Sequence, residues 1–101
     1  MNFDMIKQAQ QLKSKLDQAQ KELKKMQIEA DCGKGAIKIV MNGEQRVLSV
    51  KIDPALVDVN NTKQLEQFIT RAMNEAQEKT LKIAAASLKE VTGGLKIPGL
   101  F

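Results

Sequence analysis

Histidine, tryptophan and tyrosine are absent from this chain, cysteine occurs once and proline only twice. Without histidine there is no Cys-His or Ser-His nucleophile pair and no histidine-containing metal site. The lone thiol, Cys32, has no partner for an intramolecular disulfide and suits a reducing compartment, where it reads as an inert turn residue. Phenylalanine, at three positions, is the only large aromatic, which argues against single-strand recognition, because that mode stacks bases on aromatic rings. No apolar run approaches the roughly 18 residues that span a bilayer, and Met1 to Asp4 lacks the basic start of a secretory leader, so we expect a cytoplasmic protein. The sequon Asn60-Asn61-Thr62 then has no use, and a helix cap explains the same residues. Carboxylates are scattered beside lysines with no acid–base pair or metal cluster, and the Gly33-Lys34-Gly35 stretch lacks the lysine-serine pattern and following helix of a nucleotide loop. We expect no enzyme, no cofactor and no small-molecule substrate.

What is present is a change of period. From Asp4 onward Met5, Ala9, Leu12, Leu16, Ala19, Leu23 and Met26 recur alternately four and three residues apart, a coiled-coil-like helical seam with no Gly or Pro before Gly33. Over Met26 to Asp31 a period of two competes with it, and we assign a strand to about residues 27–31. Ile37, Ile39 and Met41 then share one face of a second strand. Asn42-Gly43 predicts a type I′ turn with positive φ, and Val47 to Ile52 returns with Leu48, Val50 and Ile52 on a face that can be buried. Asp53-Pro54 stops this strand, and Ala55 to Val57 can make one helical turn. A second long helix starts after the candidate cap Asn61, with Gln64 completing a capping-box pattern. Leu65, Phe68, Ile69, Ala72, Met73 and Ala76 make its first half a broad core stripe, and Leu81, Ala84, Leu88 and Val91 continue as a narrower seam. Gly93-Gly94 ends the helix, and residues 92–101 form an apolar tail that we expect to be mobile unless a partner orders it.

The expected fold is therefore one α+β domain over residues 1–101: long helix, small three-stranded antiparallel sheet, long helix. Helices of about 22 and 30 residues would run roughly 33 and 45 Å, longer than the sheet they flank, so some helix must project. The aliphatic core available to 101 residues is small, and the seams on the projecting arms would be exposed in a monomer, so we expect the arms to pair with each other and the sheets with a second copy.

The net charge of +4 arises from 16 basic and 12 acidic residues. Its distribution says more than its sum. Lys7, Lys13, Lys15, Lys21, Lys24 and Lys25 face only Asp4, Asp17 and Glu22 in the first helix, and Lys79, Lys82 and Lys89 add charge to the outer half of the second. Such lysines either solvate a coiled-coil face or meet phosphates, with affinity that is sequence-independent and falls steeply with salt. Duplex DNA fits better than single strands, although zinc-finger spacing and a compact helix-turn-helix are both absent. Lys34 and Arg46, near the hairpin turns, read as solvated. Two other classes fit the same pattern. A prefoldin-like chaperone subunit would use Leu and Met seams to hold unfolded chains, and an adaptor would dock through Leu95 to Phe101.

The ordered combination of Met5-Ile-Lys-Gln-Ala-Gln-Gln-Leu12, Gly33-Lys-Gly-Ala36, Asn42-Gly43, Val50-Lys-Ile-Asp-Pro-Ala-Leu56, Ala72-Met-Asn-Glu-Ala76 and the closing Gly93-Gly94 with Ile97-Pro98-Gly99 resembles the bacterial YbaB/EbfC nucleoid-associated proteins over nearly the whole chain. The resemblance implies an intertwined homodimer whose helical arms project like tweezers and bind double-stranded DNA between or along them. It also implies location in the nucleoid and broad effects on gene expression. On matching positions it makes the arm lysines of both helices the DNA contacts, with Ile52, Asp53 and Pro54 shaping the dimer body. Many relatives carry a glycine-rich lead where this chain has Met-Asn-Phe-Asp4.

Overall fold

The helical seam from Met5 to Leu23 carries one helix, α1 (Phe3–Lys25), in the computed structural model, which describes residues 3–92. Three strands follow, β1 (Ile28–Cys32), β2 (Ile37–Met41) and β3 (Val47–Ile52), in the antiparallel order β1-β2-β3. A 3-10 turn at Pro54–Leu56 leads to α2 (Thr62–Thr92). The competition of periods after Met26 resolves as a strand one residue later than expected: Ile28 and Ala30 are buried, while Glu29 and Asp31 are exposed. Cys32 is not a turn residue. It ends β1 opposite Ile37, half-buried against the core. The expected tail after the Gly93-Gly94 stop lies outside the described residues.

The type I′ turn forms at the other hairpin. The Ala36 N–H donates to the Gly33 carbonyl at 3.2 Å, and the two residues between, Lys34 and Gly35, have φ of 57° and 85°, the paired positive values that such a turn demands. Asn42 and Gly43 have no positive φ. Their turn is a longer one, closed by Gln45 N–H to the Asn42 carbonyl at 3.1 Å and by Asn42 N–H to the Arg46 carbonyl at 2.9 Å, with Gln45 in the left-handed region at φ 66°. Asn42 and Gly43 instead answer to α1. The Gly43 N–H donates to the Leu23 carbonyl at 2.7 Å, the Asn42 amide donates to the Lys24 carbonyl at 3.4 Å, and the Asn42 side-chain oxygen accepts from the N–H groups of Glu44 and Arg46. The last turn of a helix leaves carbonyls without intrahelical donors, and this turn supplies two. A Cβ at Gly43 would stand 2.7 to 2.9 Å from the Leu23 Cδ2, carbonyl oxygen and Cα, so glycine is required here for close approach.

The core lies between the sheet and the first half of α2. Ala30, Ile37, Ile39 and Met41 meet Ala72 and Ala76, with Leu65, Phe68, Ile69 and Met73 closing the sides. The alanines bring the helix close to the sheet, and the larger stripe residues flank the contact, as the period over 65–76 predicts. α2 packs across β1 and β2. β3 departs from expectation, since every residue in it is exposed, including Leu48 at 47% and Val50 at 46%. Register explains why. Val50 sits opposite Ile39 and Ile52 opposite Ile37, so both face the same side of the sheet as the core, but the single covering helix does not reach that far. A register shift beside Met41 places Val47 opposite it and leaves Leu48 as the extra residue, which adds Val47 to the same apolar face.

α1 packs along the C-terminal half of α2, with Ala19 buried and Leu12, Leu16 and Leu23 half-buried. Ala19 lies near Val91, so the first turns of α1 run on past the end of α2. Leu81, expected in the seam, is turned outward and 57% exposed. The described chain is a rod of 69 × 21 × 17 Å.

Two substitutions test this architecture. Gly43→Ala should destabilise the fold by about 2 kcal/mol, in the range of forced overpacking, with a lower midpoint in urea at fixed protein concentration. Thr80, fully buried in α2, has a hydroxyl without a hydrogen-bond partner among the described residues. Thr80→Val should therefore hold or raise the midpoint, by up to about 1 kcal/mol, because an unsatisfied buried group is costly and the isosteric methyl is not.

Candidate nucleic-acid interface

α1 exposes its lysines because the seam takes its apolar positions: with 3.6 residues per turn, the lysines fall outside the stripe of Leu12, Leu16 and Leu23. All nine lysines singled out above, Lys7, Lys13, Lys15, Lys21, Lys24, Lys25, Lys79, Lys82 and Lys89, are exposed. They are not equivalent. At about 100° per residue, Lys7, Lys21 and Lys25 fall within about 40° of one another on the side away from the seam, with Lys13 and Lys24 on the adjoining strip. Lys15 stands apart on the opposite flank, in a groove shared with Glu22, Glu90 and Val91.

The six lysines of α1 have no carboxylate within ion-pair distance among the described residues. The lysines of α2 are arranged differently. Lys79 pairs with Glu75 at 3.7 Å and also donates to the Glu29 carbonyl of β1 at 3.2 Å, so it ties the helix to the sheet. Lys82 pairs with Glu78 at 3.6 Å. With Arg71, Glu75, Glu78 and Lys82 on its outer side, α2 carries alternating charge, whereas the outer side of α1 is predominantly positive. Near the hairpin a shallow depression lined by Lys24, Asn42, Glu44, Arg46, Val47 and Leu48 brings Arg46 toward the end of α1. Lys38, on the outer face of the sheet, pairs with Glu29 at 3.7 Å.

A second surface lies on the sheet, which the sequence reading paired with a second copy without choosing the face. The uncovered side of β3 exposes Val47, Leu48, Val50 and Ile52, and Val57 and Val59 are exposed in the segment that follows. Its signal was present in the strand's alternation, but the alternation does not say whether one helix is wide enough to cover three strands. Among the described residues no group of three His, Cys, Asp or Glu is placed to hold a metal ion, and no helix is long and apolar enough to cross a membrane. The arrangement offers positive charge along a rod and an apolar sheet margin.

Comparison with known proteins matches residues 1–95 to the model of the YbaB/EbfC DNA-binding family. A nucleoid-associated protein of Thermoanaerobacter sp. (strain X514) is 40% identical over 98 residues, covering 97% of this chain and 88% of that protein. A nucleoid-associated protein of Rhodospirillum rubrum is 39% identical over 94 residues, covering 93% of this chain and 88% of its own length. In structure, an uncharacterized protein of Helicobacter pylori superposes with a TM-score of 0.76 at 16% identity, over 85% of this chain and 91% of its own. That likeness concerns the fold alone.

Proposed function

This chain belongs to the YbaB/EbfC DNA-binding family, and from that premise we propose that it is a homodimeric nucleoid-associated protein that binds double-stranded DNA through its basic α1 arms. The observation that carries the reading is the set of six exposed α1 lysines without carboxylate partners among the described residues. A lysine already paired gives back part of what it gains on meeting a phosphate; an unpaired one does not. Each phosphate neutralised releases condensed counterions, so several such lysines on one rod supply affinity without sequence choice. No bond is made or broken. The effect on the cell follows from occupancy: coating or bridging duplex changes nucleoid organisation, and with it gene expression, in the cytoplasm.

Dimerisation rests on the uncovered side of β3. Four apolar side chains in a row on an edge strand, next to exposed Val57 and Val59, form a patch that a monomer would leave in water. A second copy presenting the same face covers both, as an isologous contact requires. Two rods joined through their sheets would carry two α1 arms, and paired arms raise effective concentration on one duplex.

Binding to unrelated duplexes should weaken steeply with salt. In the variant Lys13→Gln, Lys21→Gln, Lys24→Gln, Lys25→Gln the log–log slope should flatten by about 3 to 4, near 0.9 for each phosphate no longer neutralised, with circular dichroism unchanged because glutamine keeps helix propensity high. A native chain that fails to retard duplex at low salt defeats the reading. For the dimer, sedimentation equilibrium of the native chain should give twice the chain mass, and Val50→Lys should give the chain mass with the helix content retained. A dimer that persists in Val50→Lys removes β3 from the interface.

A further inference from the structure

Between its lysines α1 carries a strip that phosphate binding leaves unused. Gln10, Ser14, Asp17 and Gln18 are exposed, and none of their side chains engages another group among the described residues. At about 100° per residue they occupy an arc of about 100°, with Gln10, Ser14 and Asp17 opposite the Leu12, Leu16 and Leu23 seam and Gln18 at the arc's edge, where it also borders the groove that Lys15 shares with Glu90 and Val91 of α2. Along the axis Gln10 to Gln18 covers about 12 Å. Lys7 lies beyond one end of this strip and Lys21, Lys24 and Lys25 beyond the other, with Lys13 beside its middle.

Three properties of B-DNA meet this layout. Its major groove is about 12 Å wide and admits an α-helix, whereas the minor groove, at about 6 Å, does not. Its phosphates line the groove rims, where cations at both ends of a crossing helix would sit, and such contacts set register without reading sequence. Its base edges present donor and acceptor pairs that match these side-chain types: an amide to adenine N6 and N7, a carboxylate to cytosine N4, a hydroxyl to either kind of edge. α2 lacks this layout. Its outer side sets Glu75 and Glu78 among the basic residues, and those carboxylates would face phosphates.

We propose that the outer face of α1 enters the major groove of duplex DNA, with the lysines on the rims and Gln10, Ser14, Asp17 and Gln18 at base edges, so that each arm reads about three to four base pairs at 3.4 Å per step. The proposal rests on the duplex-binding reading above and adds a sequence preference to it.

The test uses the full native chain and the variant Gln10→Ala, Ser14→Ala, Gln18→Ala on duplex probes. Dimethyl sulfate reports guanine N7 in the major groove and adenine N3 in the minor groove, and selection from a random duplex pool reports preference. The native protein should protect N7 and enrich a short motif. The variant should bind unselected duplex within about twofold of native, with the same salt slope, and lose the preference at least tenfold, the scale of one bidentate contact at about 1 to 3 kcal/mol. Native protein that binds duplex with a steep salt slope but protects only adenine N3, enriches no motif, or keeps its preference in the variant overturns the proposal and leaves phosphate binding standing. Failure of the native chain to bind duplex at low salt overturns both.

Discussion

The direction of the α1 arm depends on one joint. α1 makes its extensive contact with α2, and its meeting with the sheet is concentrated where the Gly43 N–H reaches the Leu23 carbonyl at 2.7 Å and the Asn42 amide reaches Lys24. That joint satisfies the end of the helix and ties it to the β2–β3 turn at the same atoms. A backbone contact with no side chain between the partners leaves little freedom to slide or tilt, so the angle at which the arm leaves the body is set by covalent geometry on both sides. Everything farther out along the rod, including the lysines, inherits that angle.

The second constraint is that one helix covers three strands. α2 approaches the sheet closely through Ala72 and Ala76, which bury Ile37, Ile39 and Met41 completely. Close approach has a geometric cost, because a helix about 10 Å in diameter spans roughly two strands at about 4.8 Å each. The third strand keeps its apolar face without a cover. The same choice that makes a dense core in so short a chain thus leaves exposed the apolar face on which the proposed dimer rests.

Much of this was legible from periodicity. The core stripe from Leu65 to Ala76 and the alternation in β2 each mark a face that a single neighbour covers, and the seam of α1 is partly covered from Leu12 to Leu23, with Met5 and Ala9 left exposed. Three features were not legible, for related reasons. Asn42-Gly43 has the composition of a type I′ turn, but the local preference yields to a contact with Leu23 about twenty residues away, and the positive φ angles appear at Gly33, Lys34, Gly35 and Gln45 instead. Leu48, Val50 and Ile52 alternate as a buried face would, and only the breadth of α2 leaves them exposed. Lys79 and Lys82 count as positive charges in any composition, yet their spacing of four from Glu75 and Glu78 neutralises them on the helix surface. Local pattern identifies which residues share a face, and tertiary geometry decides what that face meets.

That last distinction divides labour between the two helices. α2 must pack on a sheet along one half and on α1 along the other, so its remaining surface gains from i,i+4 pairs that hold its helix without demanding a partner. α1 has a single packed seam, and its other sides stand in water. Its outer side can therefore tolerate like charges, whose mutual repulsion is modest when exposed and screened over about 8 to 10 Å at ordinary ionic strength. The repulsion disfavours the free arm slightly; in the proposed function phosphates would relieve it, so the feature that is mildly unfavourable for folding would be the one that favours binding. A helix attached along one seam and oriented by one rigid joint is the element of this fold best able to carry that charge.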